Sequence, residues 1–206
     1  MRNLEYVLLC FCSLIIFCCA SDEQPMEMEN TIEPAPKVFG AFEINADEEV
    51  VLSGTIDANT ANDLVDLLDA YPDTDRILMS DVNGATSADA AFNAARIVRA
   101  NNLDIHIKRN STIRKEAVDF LLGGIKRTKG DGVMIGQSAW INDLGQEATD
   151  FGFGDDAHLP WINFYVEMEY QYQLATDYYN FYIYASDAND IYFFTEDQID
   201  TFDLIN

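Results

Sequence analysis

The sequence predicts an α/β domain with a largely parallel sheet, followed by a C-terminal region of aromatic helices. Residues 77–139 alternate apolar runs of strand length with segments whose apolar residues recur at helical spacing. The pair Asn83-Gly84 separates the first of these strands from the first of these helices, where the chain must turn. Repeated alternation of strands and helices is typical of parallel sheets with right-handed crossovers.

Composition limits the class of protein and its partners. The chain has 206 residues, enough for one domain of ordinary size and a tail. Its formal net charge of -24 would repel nucleic acid and anionic lipid headgroups. Basic residues cluster from Arg96 to Lys129, either as a strip for an acidic ligand or as charge compensation on a helix surface. All four cysteines lie in the first twenty residues, so the domain that follows has no internal disulfide.

Residues 1–19 are predicted to be a signal peptide of the lipoprotein type. An apolar run from Tyr6 to Ala20 follows a single arginine and is short for a membrane span. The run Ile16-Phe17-Cys18-Cys19 resembles a bacterial lipobox, which predicts cleavage before Cys19 and acylation of that cysteine. Ordinary cleavage after Ala20 is the alternative. We expect an exported protein, a periplasmic or outer-membrane lipoprotein of a bacterium, that meets the membrane only through its N-terminal lipid.

Residues 20–37 are predicted to be a disordered linker, and residues 38–206 the folded domain. The linker is acidic, contains three prolines and lacks an apolar period. The domain begins with strands and helices in alternation. In chain order, we predict strands at Val38–Ile44 and Val50–Ile56, a helix capped by Asn59 or Thr60, a strand at Arg76–Ser80, a helix capped by Ser87, a strand at Leu103–Ile107, a helix at Ser111–Leu122 and a strand at Gly132–Ile135.

After Ala139 the chain changes to a Gly- and Asp-rich loop and then to aromatic helices. A long helix is predicted from Leu159 to Tyr172, and residues 176–185 continue as an aromatic helix. A short strand at Ile191–Phe194 and a last helix capped by Thr195 complete the chain. The aromatic helices of residues 159–185 either join subunits into a homo-oligomer or pack into the domain's own core.

Four segments carry a resemblance to a known family. In chain order they are LSGTID, ILMSDVNGATSADAAFNAARIVRANN, FLLGGIKRTKGDGVMIGQSAW and DANDIYFFTEDQIDTFDLI. Together they resemble the proteolytic subunits of Clp proteases, in the Clp/crotonase superfamily, and especially exported bacterial relatives. The resemblance covers about Val51 to Ile205. It implies a Clp/crotonase-like fold of repeated ββα units and a serine peptidase site.

The resemblance also implies where the catalytic groups should lie. Such enzymes have a serine nucleophile at the start of the helix before the FLLGG-like segment, a base after the GVMIG-like strand and an acid before the final helix. Their Gly-Gly turn supplies an amide to the oxyanion hole, which must point at the developing negative charge.

This chain departs from that pattern at two of the three catalytic positions. Lys115 falls at the nucleophile position, and the base position falls on Gly136 or Ser138, neither of which is histidine. Asp187 falls where the acid is expected, and Asn83-Gly84 keeps half of the Gly-Gly turn. An acid alone cannot activate a nucleophile in this scheme. We therefore expect a catalytically degenerate domain that acts by binding a peptide or protein, or by assembly.

An active serine peptidase is the alternative. Ser111 lies four residues before Lys115, so on the predicted helix the two share a face, and a serine with a lysine base is a workable pair if burial lowers the lysine pKa. If Ser111 is not a nucleophile, it is a helix N-cap. Ser138 could be a nucleophile only with a base nearby, and is otherwise a loop hydroxyl.

The remaining motifs predict no cofactor and no metal. His106 lies within an apolar strand, where a hydrogen-bonded sheet histidine is usual. His158 follows Asp155 and Asp156. It could belong to a metal site or to an acid-base pair, or the segment could simply be the acidic start of a helix. The chain has no P-loop, no dinucleotide-binding glycine motif and no EF-hand.

Overall fold

The computed structural model describes residues 37–206 of the chain. The predicted signal peptide, the predicted lipidation site Cys19 and all but the last residue of the predicted linker lie outside these residues. Within residues 37–206, no helix is both long enough and apolar enough to cross a membrane.

Nine strands of the described residues form one sheet, and its central pairings are parallel. The pairs β3–β4, β4–β5, β4–β6, β5–β7 and β6–β8 are parallel, whereas β1–β2, β2–β3 and β8–β9 are antiparallel. The strands are β1 (Val38–Phe39), β2 (Phe42–Ile44), β3 (Val50–Ile56), β4 (Arg76–Ala85), β5 (Asp104–Ile107), β6 (Thr112–Arg114), β7 (Arg127–Lys129), β8 (Met134–Gln137) and β9 (Tyr192–Phe193). The largely parallel α/β fold predicted from the sequence is confirmed.

The long strand β4 divides the sheet into two branches. Its first half pairs with β5, and β5 pairs with β7. Near its end, Val82 pairs with Ile113 of β6, which leads on to β8 and β9. The carboxyl ends of β4, β6 and β8 therefore lie side by side, at the kind of edge where α/β proteins bind ligands.

Six α-helices in the same part of the chain cover the sheet and extend its core. They are α1 (Thr60–Ala70), α2 (Ala88–Ala100), α3 (Glu116–Leu121), α4 (Leu159–Glu167), α5 (Tyr172–Ala185) and α6 (Glu196–Thr201). Ser87 caps α2 by accepting the Ala90 amide, and Thr195 caps α6 by accepting the Gln198 amide, as predicted. Helices α2 and α3 approach closely because Gly123 has no side chain: a Cβ there would lie 2.6 Å from the Ala95 carbonyl oxygen.

Several predicted elements were wrong, each for a tertiary reason. The predicted helix Ser111–Leu122 is instead the strand β6 followed by the short helix α3. Its first residues are β-branched and are held in the sheet between β4 and β8, where Asp81 also accepts the Thr112 amide. The predicted strand Val38–Ile44 is a hairpin that turns at Gly40, whose φ is +56°.

Further corrections concern caps and boundaries. The carboxylate of Asp57, rather than Asn59 or Thr60, accepts the amides at the start of α1. The long aromatic helix is broken between α4 and α5, where Glu169 has a φ of 71°. Strand β7 was not predicted, because Arg127–Lys129 carries no apolar alternation.

The aromatic helices mainly build the domain's own core. Five of their rings are at most 1% exposed, and they contact one another edge to face. These rings are Phe164, Tyr165, Tyr178, Tyr179 and Tyr182. The homo-oligomer through residues 159–185 stays a prediction. The side chains of Tyr172 and Tyr184 are exposed and could contact another subunit.

Candidate functional site

Lys115 lies at a strained elbow between β6 and α3. Its backbone angles, φ 52° and ψ -136°, define a conformation that only glycine adopts readily. Its amide donates to the Gly136 carbonyl oxygen at 2.8 Å, and its carbonyl oxygen accepts the Val118 amide. A sharp strand-to-helix turn with a strained residue at its apex is the geometry that displays a nucleophile in many hydrolases. In this chain that apex carries a lysine.

The Lys115 ammonium reaches across to the segment before β9. It donates to the Ala188 carbonyl oxygen at 3.2 Å, one residue beyond Asp187. Asp187 itself is exposed, and its carbonyl oxygen accepts the Ser186 hydroxyl and the Asp190 amide. The fold thus brings the predicted nucleophile and acid positions into one region, and the ammonium is bonded to a backbone carbonyl there.

The end of β4, residues 83–85, is bonded to both residues that flank the elbow. The Arg114 guanidinium donates to the Asn83 side-chain oxygen at 2.8 Å. The amide after the Asn83-Gly84 pair, that of Ala85, donates to the Glu116 carboxylate at 3.2 Å. Gly84 has a φ of +122°, and a Cβ there would lie 3.1 Å from the same carboxylate oxygen. The Glu116 carboxylate therefore lies against the turn that the resemblance assigns to the oxyanion hole.

The two candidate base positions offer no proton acceptor of the expected kind. Gly136 is buried, and a Cβ there would lie 2.7 Å from the side chains of Ile191 and Phe193. Ser138 is 7% exposed, and its amide approaches the Gln137 side-chain oxygen at 3.3 Å.

Both histidines are engaged elsewhere. His106 lies on β5, where Nδ1 is 2.8 Å from the Thr128 hydroxyl. His158 is buried, with Nδ1 2.6 Å from the Tyr179 hydroxyl and Nε2 3.2 Å from the Gly152 carbonyl oxygen. Because a carbonyl can only accept, Nε2 carries the proton and Nδ1 accepts from Tyr179. The Tyr179 oxygen in turn accepts the Trp140 indole N–H at 2.7 Å. This chain of bonds fixes the loop of residues 140–158 on α5.

The predicted Ser111–Lys115 pair does not form, because the helix on which it depended is wrong. The two residues lie at opposite ends of the extended strand β6. An extended chain rises about 3.3 Å per residue, which separates their Cα atoms by roughly 13 Å. Ser111 is 3% exposed, and the Lys115 ammonium bonds to Ala188 instead.

A buried polar network beside the elbow helix was missed in the sequence. Asp119 on α3 is 1% exposed and accepts the Tyr165 hydroxyl at 2.9 Å. The Tyr165 hydroxyl is also 3.0 Å from that of Tyr182, and the Gln137 amide lies 3.4 Å from Asp119. Burial raises the pKa of the Asp119 carboxyl well above its usual range, although the Tyr165 hydrogen bond opposes the shift. A single acid within the apolar run AVDFLL was the sequence signal for this network.

No metal-binding cluster is present in residues 37–206: no three His, Cys, Asp or Glu side chains gather there in a suitable arrangement. At the elbow, the Glu116 carboxylate accepts one backbone amide, the Lys115 ammonium donates to a carbonyl oxygen and the Arg114 guanidinium donates to Asn83. Such a set can hold a polar chain by hydrogen bonds, but it contains no serine with a base in reach.

Comparisons with known proteins identify the fold. The structure is similar to that of the 1510-N membrane-bound stomatin-specific protease, with a TM-score of 0.50, 13% identity, and coverage of 76% of this chain and 75% of that chain. It is also similar to a variant of ClpP1 from Listeria monocytogenes, with a TM-score of 0.51, 11% identity, and coverage of 76% of this chain and 87% of that one. No protein-family model and no curated protein matches the sequence. At this level of identity the likeness establishes the fold, and the chain has a Clp protease-like α/β fold.

Proposed function

We propose that this chain is a catalytically degenerate Clp-type peptidase domain, exported and lipid-anchored, that binds a peptide or protein segment beside its elbow instead of hydrolysing it. The observation that carries the proposal is the contact between Glu116 and the Ala85 amide.

An amide can stabilise an oxyanion only if it is free when the charge develops. Here the Glu116 carboxylate lies against the Asn83-Gly84 turn and already accepts the next amide, that of Ala85. A fixed negative charge at 3.2 Å from that amide would also repel a tetrahedral oxyanion in the same place. The contact therefore favours binding over hydrolysis.

The residues at the catalytic positions support the same conclusion. The elbow apex carries a lysine, whose ammonium is bonded to a carbonyl oxygen. It is therefore not a serine nucleophile with a partner base. At Gly136, one of the two candidate base positions, the space is filled by Ile191 and Phe193, so an imidazole would not fit without rearrangement.

Activity-based labelling tests the degenerate site. We expect no covalent labelling of the purified chain by a fluorophosphonate probe and no cleavage of unstructured peptides. Labelling of one defined serine, lost when that serine is changed to alanine, would overturn the proposal. As a positive test of binding, we expect a peptide library to yield ligands that protect the Ala85 amide from hydrogen exchange. Ligands that leave this amide unaffected would contradict binding at the elbow.

Export and acylation form the second part of the proposal, supported by the apolar N-terminal run and the cysteines at its end. We expect metabolic labelling with a radioactive fatty acid in a bacterial host. The change Cys19→Ser should abolish the label, whereas Cys18→Ser should leave it. Retention of the label in Cys19→Ser would show that acylation does not occur at Cys19.

Assembly with further copies of the chain is the third part. The exposed side chains Leu159, Val166, Tyr172 and Tyr184 on α4 and α5 are the apolar surface available for it in this region. Sedimentation of the chain at micromolar concentration should show an oligomer that Tyr172→Glu with Tyr184→Glu dissociates. A monomer at all concentrations would remove this part without affecting the first two.

A further inference from the structure

A groove on the open face of the sheet gathers basic side chains, although the chain as a whole is strongly acidic. Ile77, Met79, Ile105 and Ile107 of β4 and β5 point into the core. The alternating residues point to the other face, because successive side chains of a strand alternate. Three of these residues, Arg76, Leu78 and His106, line a groove of about 370 Å³ together with Glu49, Lys108 and Arg109, which lie just outside the strands.

Most of the positive charge in this groove has no acidic partner. Arg76 pairs with Glu49 at 3.2 Å, with both side chains partly exposed. Exposed pairs of this kind contribute little to stability, so a ligand can compete for the guanidinium. Lys108 and Arg109 have no ion pair with any described residue, in contrast to Arg96, Arg99, Arg127 and Lys129. Leu78, at 6% exposed, supplies an apolar floor.

His106 lies in the same groove, beside Arg76 and Glu49. Its pKa is lowered, first by desolvation and then by the charge of Arg76, with Glu49 opposing the shift. At physiological ionic strength the Debye length is about 8 Å. A small ligand in the groove therefore experiences mainly the cations that line it, whereas a membrane surface extends beyond the groove and also faces the acidic residues of the chain.

We propose that this groove binds a small phosphate-bearing anion. An arginine fork and a lysine ammonium are the usual donors for such groups. The groove is shallow and open, with a volume of about 370 Å³, so a ligand there is held mainly by its charge. A free anion fits better than a lipid headgroup, because a formal charge of -24 opposes adhesion to an anionic membrane surface. The groove shares no residue with the elbow site, so this inference does not depend on the proposed function.

NMR titration of the full chain in a neutral detergent tests the site. The chain has two histidines, so the imidazole signals provide one reporter in the groove, His106, and one internal reference, His158. Pyrophosphate should shift the His106 signal in a saturable manner and leave that of His158 in place. Glycerophosphoglycerol, the soluble headgroup of an anionic lipid, is the second titrant and should bind more weakly.

Matched variants separate site binding from general charge effects. Lys108→Ala with Arg109→Ala should weaken pyrophosphate binding at least tenfold, because a hydrogen bond to a charged group typically contributes about that factor. Lys37→Ala with Lys126→Ala removes the same charge from exposed lysines outside the groove and should bind like the unchanged chain. Equal loss in both double variants, no saturable shift of His106, or tighter binding of glycerophosphoglycerol would overturn the proposal of a free phosphate ligand.

Discussion

The Glu116 carboxylate accepts the Ala85 amide at 3.2 Å and joins the first turn of the elbow helix to the end of the longest strand. Arg114, on the other side of the elbow, makes the parallel link to Asn83 at 2.8 Å. Residues separated by about thirty positions are thus tied together at two points around Lys115. This double link keeps the elbow in its strained geometry although the residue at its apex is a lysine.

Glu116→Ala should expose the Ala85 amide to solvent. We expect the free energy of unfolding to fall by about 1 kcal/mol, the usual contribution of one such hydrogen bond, and the Ala85 amide to exchange faster with deuterium. Glu116→Gln should retain most of the protection, because its amide oxygen can still accept. Glu169→Ala removes a carboxylate that is 79% exposed and serves as the control. Unchanged exchange at Ala85 in Glu116→Ala would show that the contact does not persist in solution.

Lys115→Gly should leave the stability of the domain nearly unchanged, unlike a glycine substitution at an unstrained position. A non-glycine residue at this φ costs about 1 to 3 kcal/mol, whereas the extra chain entropy of glycine costs about 0.5 to 1 kcal/mol. Relief of strain exceeds the entropy cost by about 1 kcal/mol, and loss of the bond to the Ala188 carbonyl oxygen, worth about 1 kcal/mol, offsets that gain. Urea denaturation measures the net change. Lys126→Gly, at an ordinary backbone conformation, should destabilise the domain. A larger loss of stability in Lys115→Gly than in Lys126→Gly would disprove strain at the elbow.

Asp119 should make the domain less stable as the pH rises. Its pKa is raised in the folded state, so between the ordinary value near 3.9 and the folded value the native chain binds more protons than the unfolded chain. The contribution of Asp119 to the free energy of unfolding is therefore fully present below about pH 4. Between the ordinary pKa and the folded pKa it falls by up to about 1.4 kcal/mol per pH unit.

Asp119→Asn isolates that contribution from those of the other acids. The variant can still accept the Tyr165 hydroxyl but cannot ionise, so its stability relative to the unchanged chain should increase from pH 4 to pH 8. Urea denaturation at each pH measures the difference. A constant difference across this range would mean that Asp119 ionises normally in the folded chain.

Arg127 should anchor the C-terminus. Its buried guanidinium donates to the carbonyl oxygens of Gly124, Asp203 and Leu204 at 3.1, 2.8 and 3.1 Å. Arg127→Met should lower the free energy of unfolding by about 3 kcal/mol, because it removes three hydrogen bonds from a buried cation. The Asp203 carbonyl oxygen keeps the Tyr170 hydroxyl as a donor, and that of Gly124 keeps the Arg99 guanidinium. Arg96→Met, which removes an exposed ion pair with Glu167, should cost about 1 kcal/mol or less. Similar losses in the two variants would contradict an anchoring role for Arg127.

The parts of the fold that follow from local pattern were predictable. The caps at Ser87 and Thr195, the apolar strand before residue 80 and the helix α2 depend on neighbours within a few residues. The helix predicted at Ser111–Leu122 failed because sheet pairing with distant strands outweighed helical spacing. The same error produced the Ser111–Lys115 pair.

The sequence by itself determined the α/β class and the order of the main elements, because these depend only on residue identity and periodicity. Its resemblance to Clp proteolytic subunits added the prediction that the catalytic serine and histidine are replaced. Only the tertiary structure decided that Glu116 lies on the Ala85 amide, that Asp119 is buried with tyrosines and that basic residues from two strands share one groove. Each of these contacts joins residues far apart in the chain, and their proximity is created by sheet pairing and core packing.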